Sequence, residues 1–423
     1  MADPVFVHIG PPKTGTTYLQ AVLWSNRAAL KDQGVLVPGR SPVSQFHATV
    51  DLLERDPMRV GTERTAGSWD VLLDELQAWD GPAIISHENL GYADGEQADR
   101  AKLSLKAKHI HIIFTAREFS RIVPAMWQER LKNRADDTWH DYLDGLKGLG
   151  GWKPKAFWHQ NTGAGLLAWA AGLPPEQVHI VTVPPSGAPP TLLWERFASV
   201  IGVDPSTCNT DVPRSNESLG VVESAFLRRF NSAAADVDWD AYRAHVKHFL
   251  APQVLAQRED SIRISVRPDE ISSLTERARE LIETIRSHGF DVVGDLDDLT
   301  SLPAPADPDQ ARAIDDVGDD EALKVSFDAV AGLVAHSEDL RRARQEQAAA
   351  TKEARRELRE ARRHLDELRA VNRRLHVRLD AAENVLEHSA LRRALSRFAR
   401  RHAWAGRLRD TVLRRNRTGP DPS

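Results

Sequence analysis

The sequence predicts a doubly wound α/β domain with a parallel sheet, followed by a long coiled-coil helix. Three observations point there. Short, almost wholly apolar segments alternate with longer helical patterns through the first 200 residues. A glycine-bracketed turn joins the first apolar segment to the first helix. A seven-residue apolar repeat runs through the arginine-rich C-terminal part. Alternation of this kind builds parallel sheets with helices on both faces, and continuous apolar strands are what such a buried sheet requires.

The predicted strands are 5–9, 35–37, 83–86, 110–115 and 178–183. Helical patterns lie between them at about 16–33, 69–79, 118–134, 157–172 and 191–201. From about 216 to 289 the pattern is helical, with Leu219, Val222, Phe226, Leu227 and Phe230 and later Leu274, Ala278, Leu281 and Ile285. These set a first domain over 1–292. Residues 293–321 read as a flexible linker: 291–321 hold eleven acidic residues against Arg312 alone, among prolines and alanines. Residues 322–390 read as the helical and coiled-coil region. Leu358, Leu365, Asn372, Leu379 and Leu386 recur every seven residues, with Ala361, Leu368, Leu375 and Ala382 three positions on. A lone asparagine among apolar a positions favours a parallel two-stranded register, so the expected partner is a second copy of the chain. The remaining 391–423 form a basic amphipathic tail. Within 391–417 its ten arginines are opposed by Asp410 alone and interleaved with Leu391, Leu395, Phe398, Trp404, Leu408 and Leu413. An anionic membrane surface, an acidic partner or the acidic linker would each match it, and nucleic acid is a further option.

The net charge of −5 averages over opposed regions. Residues 341–417 carry 23 Lys and Arg against 10 Asp and Glu, whereas the rest of the chain is acidic by 18 charges. The single cysteine, Cys208, rules out an intramolecular disulfide and agrees with a reducing cytosol. No signal peptide and no run near the roughly 20 apolar residues of a membrane span is visible, so the expectation is a cytoplasmic, soluble protein with at most peripheral membrane contact. The sequence holds no Cys/His metal constellation, no Gly-x-Gly-x-x-Gly and no Gly-x-Ser-x-Gly.

The chemistry concentrates in the first turn, Gly10-Pro11-Pro12-Lys13-Thr14-Gly15-Thr16-Thr17. Strand, turn and helix N-terminus in this order make an anion cradle, because backbone N–H groups and the helix dipole both favour negative charge there. The glycines have the spacing of an ATP-binding P-loop. The lysine, however, stands inside the turn at 13, and Thr16 occupies the position that motif reserves for lysine. Segments 86–91 and 115–121 leave the sheet at the same edge, where ligands of open α/β sheets bind.

Pro12-Lys13-Thr14-Gly15-Thr16-Thr17 resembles the phosphosulfate-binding loop of sulfotransferases that use 3′-phosphoadenosine-5′-phosphosulfate (PAPS). The resemblance covers the first two-thirds of the chain. It implies a P-loop-like fold and sulfuryl transfer to an acceptor hydroxyl, most plausibly of a carbohydrate or glycolipid. By that resemblance Lys13 meets the bridging oxygen, and Thr14, Gly15, Thr16 and Thr17 hold the 5′-phosphate. The strand 110–115 runs on to Arg117, which matches the family's arginine for the 3′-phosphate. The family's serine eight residues later is Ala125 here, and Ser120, with Arg121, is the expected replacement. Arg214, Ser215 and Asn216 are further candidates from a later loop. Such enzymes place the general base after the equivalent of 83–86. Both Glu88 and His87 stand there, and Glu88 is favoured. His47 is a candidate for the acceptor side. No metal is required if Lys13 and the backbone amides carry the charge. Two other readings use the same residues: a nucleotide phosphotransferase, and an inactive sulfotransferase-like scaffold working through its coiled coil.

Overall fold

The computed structural model describes residues 1–54, 62–147, 163–212, 218–300, 314–387 and 390–402. The chain divides into two compact units, Met1–Val334 and Ala335–Ser423.

The first unit is built on five parallel strands: β1 (Val5–His8), β2 (Ala83–Ser86), β3 (Ile110–Ala116), β4 (Val178–Thr182) and β5 (Asp291–Val293). Their order across the sheet is β2-β1-β3-β4-β5. Val5 pairs with Ala83 on one side and Ile110 on the other, so β1 lies between β2 and β3. The chain fills one side of β1 first and then crosses to the other. The reversal puts a crevice beyond the carboxyl ends of β1 and β3.

The expected strand at 35–37 is a single parallel bridge, Leu36 to Ala83, rather than a strand. Gly34 before it is in a left-handed conformation and Pro38 after it lacks an N–H, which confines the extended run to three residues. β5 has no counterpart among the predicted strands. It pairs along β4, and the imidazole of His179 meets the carboxylate of Asp291 at 2.6 Å. The ordered chain continues past it: Arg196 Nη1 donates to Thr182 O and to Asp298 Oδ2, at 2.8 and 2.7 Å, and Leu299 is buried. The acidic segment is therefore packed at its start, where the sequence reads as linker from 293. Residues 301–313 lie outside the described residues.

Successive strand residues face opposite cores. Val5, Val7, Ile112 and Phe114 join one cluster, while Phe6, Ile84, Ile113 and Val181 join the other. The second cluster is covered by α1 (Thr16–Ser25), α2 (Arg27–Asp32) and the helix Leu192–Ile201, whose Trp194 and Phe197 are fully buried. The first cluster is the larger. It takes in α3 (Pro42–Leu53), α4 (Ser68–Gln77), α5 (Gly95–Leu105), α6 (Phe119–Lys132) and the helix Pro268–His288. Buried Trp127 and Trp169 belong to it.

A single helix runs from Asp319 to Glu387. In the first unit it is anchored by Val325 and Ala329, both buried, and by an ion pair between Arg258 and Asp328. In the second unit it is polar and exposed, and a short helix, Ala390–Arg401, follows. No helix among the described residues is long and apolar enough to cross a membrane. Of the basic tail, Trp404, Leu408 and Leu413 lie outside the described residues, as do Arg214, Ser215 and Asn216.

Candidate active site

The turn after β1 is shaped by close approach. A Cβ on Gly10 would run into Thr115 Oγ1 and His8 Nε2, and one on Gly15 would run into Leu193. Gly15 also has φ of 87°, which glycine adopts at no cost. Lys13 is left-handed as well, with φ of 70°. A non-glycine residue in that region costs about 1–2 kcal/mol, and such residues gather at functional sites. Gly15 is the N-cap of α1 and no side chain caps the helix. The first-turn amides of Thr16 and Thr17 therefore lack the usual side-chain acceptor, which is the condition for anion binding at a helix N-terminus.

Beneath the turn a buried polar chain crosses three strands. His8 Nδ1 lies 2.7 Å from Ser86 Oγ, and His8 Nε2 lies 3.4 Å from Thr115 Oγ1. Thr115 and Thr14 hydroxyls are 2.6 Å apart, and Thr14 Oγ1 donates to Pro11 O at 2.6 Å. Thr14 spends its one proton on Pro11, so Thr115 donates to Thr14. Thr115 then accepts from His8 Nε2–H, and His8 Nδ1 accepts from Ser86. This needs a neutral imidazole, and burial pushes His8 down to about 3. Thr14 thus faces inward as part of the turn's frame. Its buried hydroxyl is committed to Pro11 O and Thr115 Oγ1, whereas the resemblance implies a contact to the 5′-phosphate. Pro12 is half-buried, Thr16 is buried and Thr17 is exposed.

Arg117 follows β3 and donates from Nη1 to Lys13 O at 2.7 Å, which ties the two loops together. Its Nε is buried and has no hydrogen-bond partner. Ser120 Oγ, in the first turn of α6, is buried and unpartnered too. Burial, reinforced by the like charge of Arg121, lowers the Arg117 guanidinium to about 10, against the pull of Glu118. Arg121 itself is engaged: its Nε meets Glu118 Oε1 at 3.1 Å and its Nη1 donates to Pro184 O. Burial raises Glu118 towards its neutral form, which softens its effect on an anion nearby.

Lys13 Nζ is held by Glu129 Oε2 at 3.0 Å, from the last turns of α6. Glu129 Oε1 lies 3.5 Å from Lys247 Nζ, which also donates to Asn133 Oδ1. Burial opposes ionisation of Glu129, but the two lysines hold its carboxyl below the ordinary value. Neither Glu129 nor Lys247 is signalled by any motif.

At the end of β2 the two candidate bases part. His87 Nδ1 accepts from the Asn89 amide at 3.1 Å, so the neutral ring carries its proton on Nε2 and has no free lone pair to act as base. Burial pushes His87 below its ordinary value, against the pull of Glu88. The ring lies 5.3 Å from that of Phe46, whose other neighbour is His47 at 5.8 Å, both on α3. Glu88 Oε2 instead accepts from Gln20 Nε2 of α1 at 2.9 Å. Burial alone would raise Glu88; the adjacent imidazole and the Gln20 hydrogen bond hold it low, so it is a carboxylate at neutral pH. Lys13, Thr16, Thr17, Arg117 and Glu88 thus follow the ends of three neighbouring strands, Ser120 lies in the first turn of α6, and His47 and His87 both contact the Phe46 ring. Among the described residues no group of three or more His, Cys, Asp or Glu side chains could hold a metal ion.

Comparison with known proteins adds little to this geometry. No family model matches the chain, and no curated protein matches it. A solved structure described as a sulfotransferase from Alicyclobacillus acidocaldarius is similar at 17% identity and a TM-score of 0.36, over 57% of this chain and 100% of the other.

Proposed function

We propose that this chain is a sulfotransferase that moves a sulfuryl group from PAPS to an acceptor hydroxyl by in-line displacement. The observation that carries the reading is a pair of anion-seeking features on adjacent strand ends. One is the uncapped helix start at Gly15, with Lys13 beside it. The other is Arg117 with Ser120, whose buried Nε and Oγ lack partners. The Arg117–Lys13 hydrogen bond joins them. A nucleotide with phosphate groups on both its 3′ and 5′ positions presents two anions, and a buried, under-solvated arginine gains most from one of them.

In this reading the first-turn amides of Thr16 and Thr17 hold the 5′-phosphate. Arg117 and Ser120 hold the 3′-phosphate. Glu88 accepts the proton of the acceptor hydroxyl as its oxygen bonds to sulfur. The bond from sulfur to the phosphate oxygen breaks, and the electron pair stays on the phosphate. Lys13, released from Glu129, donates to that oxygen as its charge grows. Lys247 remains to neutralise Glu129. The products are a sulfate ester, adenosine 3′,5′-bisphosphate (3′,5′-ADP) and a proton passed to solvent.

Transfer of labelled sulfate from PAPS to a panel of alcohols, glycans and glycolipids tests this directly. The chain should label at least one acceptor, and Lys13→Ala should do so about 10²–10³-fold more slowly. Equal labelling by that variant, folded as judged by circular dichroism, would remove the assignment.

A further inference from the structure

Beyond Val334 the long helix carries an apolar stripe that is exposed among the described residues. Leu358, Leu365, Leu368, Leu375 and Leu379 are each between 47% and 58% exposed. They fall at the a and d positions of one heptad frame, with Asn372 at a and Ala361 and Ala382 at d. In the first unit the same helix buries one apolar side, Ala322, Val325 and Ala329, while Leu323, Phe327, Val330 and Val334 on it stay exposed. A continuous leucine seam in water is a surface made for another helix.

The charges flanking the seam say which helix. In this frame the g positions are Glu357, His364, Val371 and Arg378, and the e positions are Arg362, Arg369, His376 and Glu383. In a parallel, in-register pair each g residue faces the e residue five positions on in the other copy. Glu357 then meets Arg362, and Arg378 meets Glu383, both with opposite charge. His364 would meet Arg369, which gains nothing. Within the single chain the pairing is the complement of this. Arg369 is taken by Asp366 at 3.7 Å, and His364 by Glu367 at 3.7 Å. Arg356 is shared between Glu353 and Glu360, away from the seam. Among the described residues Glu357, Arg362, Arg378 and Glu383 form no ion pair. The flanking charges that a second copy would satisfy are the ones the chain leaves open, and those it would not satisfy are closed internally.

We propose that residues 354–386 pair with the same segment of a second copy as a parallel, in-register two-stranded coiled coil. Asn372 then faces Asn372 across the axis, where the two amides can hydrogen-bond. In an antiparallel pair it would face a leucine or alanine of the d set and lose that partner. The parallel arrangement also joins both α/β units to the same end of the coil.

Sedimentation equilibrium on the full chain should give twice the chain mass at micromolar concentration. Glu357→Arg should weaken the dimer about tenfold, because two symmetry-related pairs turn from attraction to repulsion, and adding Arg362→Glu should restore it. Leu365→Cys should cross-link chain to chain on mild oxidation, with Leu379→Cys as a second probe and the buried Cys208 of the unaltered chain as the control. A monomeric chain overturns the proposal, whether the seam stays bare or takes a helix of some other protein. A dimer in which neither cysteine cross-links, or in which the charge swap restores nothing, overturns it equally.

Discussion

The α/β unit and the helix beyond Val334 are incomplete in opposite senses. At the crevice, groups without partners are polar and buried, as with Arg117 Nε and Ser120 Oγ. On the helix they are apolar and exposed, as with Leu365 and Leu375. A buried donor left unpaired costs about 1–3 kcal/mol, and a ligand with acceptor oxygens recovers it. An exposed leucine forgoes about 1.5–3 kcal/mol of burial, and another apolar surface recovers that. One region therefore points to a small anion and the other to a partner chain. The contrast also separates the tests, because changes at the crevice should alter turnover and leave assembly alone.

In the proposed reaction the largest effects should come from Glu88 and Lys13. Glu88→Gln should lower kcat by about 10²–10⁴-fold, the usual contribution of a positioned base. Activity should also persist as pH falls past the ordinary carboxylate value of 4.5, and be lost only as it drops through the lower value that Glu88 has in the fold. An acid limb above that ordinary carboxylate value, and below the ordinary histidine value, would point to His87 instead. Lys13→Ala should reduce kcat by about 10²–10³-fold, as loss of a donor to a developing oxyanion does. Its melting temperature should stay close to that of the unaltered chain, since the Lys13–Glu129 pair is partly exposed. Arg117→Met should weaken 3′,5′-ADP by about 10- to 100-fold, the loss of a charge-assisted hydrogen bond, and leave adenosine 5′-monophosphate less affected. Calorimetric titration with both nucleotides reads this difference. The smallest effect should run the other way. Glu129 competes with the ligand for Lys13, so Glu129→Gln should bind 3′,5′-ADP about two- to fivefold more tightly, the worth of a partly exposed ion pair. Weaker binding would make Glu129 a support for Lys13 rather than a competitor.

Much of this was legible from residue pattern. The strands β1 to β4 are apolar runs with turn residues after them, and the glycine turn names its own position. The seam follows from a period of seven. β5 escaped because Asp291-Val292-Val293 offers two apolar residues beside an acidic tract; its pairing with β4 and the His179–Asp291 contact are what define it. Glu129 was invisible because it lies 116 residues from Lys13, on a helix whose apolar pattern says nothing of that pairing. His8 was hidden inside an apolar strand, where nothing in the pattern shows a ring bridging two neighbouring strands. Residue pattern alone does not rank the adjacent His87 and Glu88 as base, and Glu88 is favoured in the sequence only by the resemblance. The Asn89 amide on His87 Nδ1 makes the distinction.

The central claim is that the crevice is shaped for a nucleotide phosphorylated at both 3′ and 5′ positions. Isothermal titration of the full chain with 3′,5′-ADP and with ATP, each with and without Mg²⁺, tests it most directly. The account predicts that 3′,5′-ADP binds more tightly than ATP, independently of Mg²⁺, and that Arg117→Met removes the preference. Tighter, Mg²⁺-dependent binding of ATP, or binding indifferent to the 3′-phosphate, would contradict it.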